Sequence, residues 1–189
     1  MKTKKLNTVV LTFTIFALVA CTFFNSCNNP QYEQEIIGRF YYTETIDEEE
    51  IDDGITMFGN FESFEEFFKN KKFQETFKIK YTVSYDEGSF SMYYEGIVEG
   101  NWEISKSNLY YDYDIESLTL KFVESDAKYD EKEFVREFNY ILLPQLKSEL
   151  KSEIINTEKH PVKIIELNSS RLITRDIDGE ETVQKRLRN

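Results

Sequence analysis

The sequence is poor in the residues that staple small domains or carry much of enzyme chemistry. Its 189 residues contain two cysteines, one histidine, one tryptophan, three prolines and seven glycines. So few glycines and prolines exclude collagen-like or low-complexity organisation. One histidine, His160, with no cysteine after Cys27 excludes a zinc site of the usual kind and a Cys/His dyad in the folded part. Basic residues are also short, 23 against 35 acidic ones for a formal charge of -12, which argues against nucleic acid and its phosphates. Long apolar runs are missing after Ala20, so nothing later in the chain reads as a spanning helix. What the sequence does have is 40% hydrophobic and 15% aromatic residues, too rich for a disordered chain and enough for one domain.

The N-terminus reads as an export signal. Lys2, Lys4 and Lys5 precede an apolar run from Val9 to Ala20, and about a dozen apolar residues suit a signal core rather than a transmembrane helix of about 20. Leu18-Val19-Ala20-Cys21 resembles the lipobox of bacterial lipoproteins, in which the cysteine is lipidated and becomes the mature N-terminus. Phe24-Asn25-Ser26-Cys27 is the alternative, and a plain cleaved signal with a short Cys21–Cys27 disulfide is a third reading. The expected organisation is a signal peptide over 1–20, a polar tether over 21–35 and one domain over 36–189. Removing the signal leaves 23 minus 3, or 20, basic residues against 35 acidic ones, a formal charge of -15. Lipidation attaches such a chain to a membrane without spanning it.

The body alternates with a period of two. Phe77, Ile79, Tyr81, Val83 and Tyr85 share one face of a strand, a turn follows at Asp86-Glu87-Gly88-Ser89, and Phe90, Met92 and Tyr94 resume the pattern. Further strands are expected over 36–46, 97–105, 109–116, 118–123, 162–167, 172–177 and 182–187. Eight or nine short strands joined by tight turns predict an antiparallel barrel or sandwich. Two stretches carry helical spacing. Phe61, Phe64, Phe67 and Phe68, with Ser63 and Glu66 placed as a capping box, predict a short helix after the first strand. Glu131 to Ile155, with Phe134, Phe138, Leu142, Leu146, Leu150 and Ile154 four apart, predicts a longer helix kinked or split at Pro144. Both helices are expected to cover a sheet face or barrel mouth, with a partner-binding groove helix as the alternative.

In order along the chain, Gly38-Arg39-Phe40, Gly100-Asn101-Trp102, Ser107-Asn108-Leu109, Leu167-Asn168-Ser169-Ser170-Arg171-Leu172 and Lys185-Arg186-Leu187-Arg188 resemble the lipocalin-like domains of Gram-negative lipoproteins. Phe40 stands where such domains carry tryptophan, and the 131–155 insertion is longer than theirs. The resemblance implies a mainly β fold, an antiparallel lipocalin-like barrel of about eight strands, with a hydrophobic cavity. It also implies that Arg186 or Arg188 lies over Phe40 at the barrel base.

The acidic run from Asp47 to Asp53 lacks EF-hand spacing and reads as a solvated loop. Asp112, Asp114 and Glu116 share one strand face, which their mutual repulsion assigns to solvent. No cofactor or metal is expected, and scattered carboxylates give no sign of catalysis. The candidate ligand-binding residues are the strand-phased aromatics Tyr81, Tyr85, Tyr94, Trp102, Tyr111 and Tyr113, which either fill the interior or line a pocket for a flat apolar or amphiphilic ligand. Tyr41, Tyr42, Tyr93 and Tyr110 fall in the opposite phase and are expected outside. The functional expectation is a non-enzymatic lipoprotein on the outer membrane, facing periplasm or cell surface, that binds a small ligand in its barrel. The alternative is a protein-interaction or envelope-accessory module with a filled barrel.

Overall fold

Alternation of inward and outward side chains builds most of the described residues into one antiparallel barrel, seen in a computed structural model that describes residues 30–188 apart from Asp53 and Glu87. The expected signal segment and both candidate lipid-bearing cysteines, Cys21 and Cys27, lie outside the described residues. A short helix α1 (Pro30–Glu35) leads into β1 (Gly38–Asp52), β2 (Ile55–Phe67), β3 (Lys72–Tyr85), β4 (Gly88–Ser105) and β5 (Asn108–Ser125). A single 3-10 turn (Tyr129–Glu131) and the helix α2 (Lys132–Lys159) follow, then β6 (Val162–Leu167), β7 (Arg171–Arg175) and β8 (Glu181–Leu187). Each strand pairs with the next and β8 returns to β1, so the barrel is closed in sequence order.

Several details differ from the sequence reading, and the first is that the acidic run from Asp47, expected as a solvated loop, continues β1 to Asp52. The stretch from Phe61 to Phe67, expected to be helical, is the second half of β2, and the short helix that exists lies ahead of β1. The reason is visible in the burial: Phe61, Ser63, Glu65 and Phe67 alternate inward, but two of those four are polar, so the strand period is hidden and the outward-facing Phe64 completes a false helical stripe. The strands expected over 90–94 and 97–105 are one strand, β4, and those over 109–116 and 118–123 are one strand, β5. Register shifts in the β4–β5 ladder, at Tyr93/Tyr94 and Ile97/Glu99, are bulges that break the apolar phase without ending the strand. Finally, α2 runs unbroken through Pro144, with Val135, Leu142, Leu146 and Ile154 as its buried face.

The first five strands have 13 to 18 residues, and the last three have 5 to 7. β6 therefore meets β5 at only two positions, Asn108↔Lys163 and Leu109↔Val162, and β8 meets β1 at three, Arg39 to Tyr41. Helix α2 occupies the place the short strands leave open. It packs into an upper core with Phe77, Ile79, Val83, Phe90, Met92 and Tyr94. A second core fills the base with Phe40, Phe67, Phe73, Trp102, Ile104, Leu109 and Leu172. Between them Gly96 stands under the Phe77 ring, which a Cβ there would meet at 2.2 Å, so a side chain at this inward position would expel the ring.

The base is sealed by Arg186. Its guanidinium lies 4.5 Å from the Phe40 ring centroid, its Nη1 donates to the Ile37 carbonyl at 2.9 Å, its Nε to the Asn168 carbonyl at 3.2 Å, and its Nη2 to the Glu35 carbonyl. Gly38, at φ 138°, keeps the backbone close to it. One side chain thus ties β8 to β1, to α1 at the end of the expected tether, and to the β6–β7 turn. Replacing it leaves partly buried carbonyls without donors, and such charge-assisted bonds contribute about 1.5–3 kcal/mol each. Arg186→Ala is expected to destabilise the chain by about 2–4 kcal/mol in urea unfolding, whereas Arg188→Ala stays within about 0.5 kcal/mol; equal effects would place the seal elsewhere.

Candidate functional site: a carboxyl-lined cavity in the barrel

Between the two cores the inward positions turn polar. β2 contributes Glu65, β3 Glu75, β1 Tyr42, β5 Tyr111 and Tyr113, β7 Thr174 and β8 Gln184 to the lining of a half-open cavity of about 670 Å³, and the fully buried Ser63 of β2 hydrogen-bonds Glu75. Phe61, Phe77, Val98 and the α2 residues Leu150 and Ile154 provide an apolar wall. The lower end of α2 forms one side: Leu150, Glu153, Ile154 and Thr157 recur at helical spacing along the cavity. At the β5 edge, beyond the two β6 pairings, the Tyr113 backbone N–H donates to Glu158 Oε1 at 2.7 Å, so the helix satisfies a donor that a longer β6 would have taken.

The centre of the site is a pair of carboxyls. Glu65 and Glu75 are directly opposed in the β2–β3 register, both on the inner face. Glu65 is 6% exposed, and its Oε2 accepts from Tyr111 Oη at 3.2 Å and from Gln184 Nε2 at 3.1 Å. Glu75 Oε1 accepts from Ser63 Oγ at 2.6 Å. Burial, and then the Glu75 charge, push the Glu65 pKa up to about 8 against the opposing pull of its two hydrogen bonds. Burial likewise raises Glu75, opposed by Ser63. The pair therefore carries a proton at neutral pH. Burial, with these carboxylates next, also holds the hydroxyls of Tyr42, Tyr111 and Tyr113 neutral.

The cavity gathers two of the six aromatics singled out in the sequence. Tyr111 and Tyr113 stack at 5.5 Å on its wall. Tyr81 and Tyr94 pack edge to face at 6.3 Å in the upper core, and Tyr85 lies there beside Phe90 and donates to Glu131 at the start of α2. Trp102 belongs to the base, where its Nε1 donates to the carbonyls of Phe68 at 3.2 Å and Lys72 at 3.0 Å under the Lys71 ammonium. Tyr42, expected outside, points in because it follows the phase of Phe40, while Tyr41 packs against Phe64 at 4.9 Å on the outer face. Glu65 and Glu75 were not recognised from sequence. Their only signal is phase: Phe73, Glu75, Phe77 and Ile79 are evenly spaced by two, with an acid in an apolar series. Asp112, Asp114 and Glu116 face solvent as expected.

A carboxyl whose pKa is raised on folding keeps a proton that the unfolded chain releases. Stability on this account is full below the ordinary value of 4.5 and is lost as pH rises towards 8. Glu65→Gln is expected to flatten this decline and to raise stability at pH 8 by at least about 1.4 kcal/mol, the equivalent of one pKa unit. Thermal unfolding of both chains at pH 5 and pH 8 checks it, and an unchanged slope would overturn the reading of the pair.

Among known proteins, no family model matches the chain and no curated protein matches it, so the functional reading rests on the cavity itself.

Proposed function

We propose that the protein is a lipid-anchored envelope lipoprotein whose barrel binds a small amphiphilic ligand without transforming it. The observation that carries the reading is the cavity of about 670 Å³, within the range of small-molecule sites, with one apolar and one polar wall and a few convergent polar groups. A barrel serving only as a scaffold gains nothing from two opposed carboxyls in its interior, since such a pair lowers stability unless something offsets it. A protonated and an ionised carboxyl side by side also resemble an acid–base pair. Binding is the better reading because among the described lining residues no lysine, arginine or histidine is available to polarise a substrate or stabilise developing negative charge. The anchor rests on the basic stub, the apolar run ending at Ala20 and the cysteine that follows, and the outer membrane is its proposed location.

The competing reading, a protein-interaction module, is favoured by one observation. Tyr140 and Ile141 on α2 are 83% and 59% exposed, on the side away from the upper core. It predicts that Tyr140→Ser with Ile141→Ser abolishes capture of an envelope protein while leaving the barrel unaltered.

Native mass spectrometry of the protein purified gently from its host separates the two. A co-purifying small molecule that leaves on collisional activation is expected, and a mass equal to the lipidated polypeptide alone would count against ligand binding. For the anchor, Cys21→Ser is expected to move the chain from the membrane to the soluble fraction. Cys27→Ser should leave it in place, and the opposite result would transfer the lipid to Cys27.

A further inference from the structure

We infer that the ligand is an organic cation, an ammonium group on an apolar or aromatic body, with its charge held between Glu65 and Glu75 and its body against Phe61, Phe77 and α2. The inference rests on the binding reading above and assigns the chemistry of its ligand. Six carboxyls line the cavity: Glu44, Asp47, Glu65, Glu75, Glu153 and Asp176. No basic side chain is among the described lining residues, so a fatty acid, a phosphate or any other anion would enter a field of one sign that repels it.

An observation independent of the acids points the same way. Gln184 lines the cavity at 4% exposure; its Nε2 is used by Glu65, and its Oε1 has no hydrogen-bond partner among the described residues. A buried acceptor without a donor is unfavourable, and a small turn of the Gln184 amide towards the cavity would let a ligand ammonium N–H serve it. The aromatic rings of Tyr42, Tyr111 and Tyr113 line the same cavity, and an aromatic wall suits the body of such a cation. A metal ion fits less well. Among the described residues no three acidic, histidine or cysteine side chains converge as ligands, and half of the wall is apolar.

Binding a cation here draws the proton from Glu65. The charged and titratable groups that line the cavity with that carboxyl are Tyr42, Glu44 and Asp47 on β1, Glu75 on β3, Tyr111 and Tyr113 on β5, Glu153 on α2 and Asp176 just after β7, with neutral Gln184 on β8. The tyrosines stay neutral, so the acids take up the change. Affinity for a cation is then expected to rise with pH towards 8, with release of about one proton at pH 7.

Three water-soluble probes with one aromatic body and different charge test this: 2-phenylethylammonium, 2-phenylethanol and phenylacetate, titrated calorimetrically into the full-length chain at low salt in two buffers of different ionisation enthalpy. The cation is expected to bind at least about tenfold more tightly than the alcohol, with proton release, and the acid not at all. In the Glu65→Gln/Glu75→Gln double variant, which keeps the shape of the pair, the preference for the cation should vanish. The three-probe comparison and the proton count on the unaltered chain need no variant. Equal binding of cation and alcohol, or preference for the acid, would overturn the cation while leaving ligand binding intact. Failure of all three probes to bind would overturn both.

Discussion

Unequal strand length is the constraint from which the rest of this structure follows. At a rise of about 3.3 Å per residue, β1 to β5 run roughly 43–59 Å, whereas β6 to β8 run roughly 17–23 Å. Hydrogen bonding can close such a sheet only near the base, and there it does, through β1–β8 and β5–β6 pairs near Phe40 and Leu109. Above that level the edges of β1 and β5 part. Helix α2 fills the gap because its buried stripe is apolar at the upper core and becomes mixed, with Glu153 and Thr157, where it borders the cavity.

The polar layer sits where the two hydrophobic cores fail to meet. Aromatic packing below and helix packing above supply the stability, and the layer between is free to carry groups that oppose folding. Glu65 and Glu75 are such groups: directly opposed, one buried and one half-buried, and among the described residues served by neutral donors, Ser63, Tyr111 and Gln184. Retaining a proton is how the free protein accommodates them, and an entering positive charge is the other way. Stability and proton uptake are therefore linked through the same two side chains, and the proposed ligand would act on the same pair.

Much of the fold was legible. The alternation from Phe77 to Tyr85 appears as written in β3, the barrel with its long helix is as expected, and the arginine implied to close the base over Phe40 is Arg186. Besides the merged strands and the unbroken helix at Pro144, the differences from the sequence pattern lie at the cavity. Ser63 and Glu65 interrupt the inward phase of β2, which made Phe61 to Phe68 look helical. Tyr42 shares the inward phase of Phe40, but it stands next to Tyr41, which faces out, and two adjacent tyrosines show no phase of their own. Glu75 stands one step before the clean series that began at Phe77. In each case the residue lies where an inward position is polar, and a pattern read by hydrophobicity cannot tell such a position from an outward one.

The sequence by itself determined the strand periodicity, the acidic balance, the scarcity of histidine and cysteine, and the signal-like N-terminus, because each is a property of local order or composition. Tertiary structure decided which of thirty-five acidic residues face one another. Glu65 and Glu75 are ten positions apart in a chain full of glutamates, and nothing local distinguishes them from Glu62 or Glu66. Only the β2–β3 register, the inward phase and the closure of the barrel by β8 with Gln184 bring them together away from water. That happens because side-chain direction in a strand depends on register, and register is set by the packing of the whole barrel.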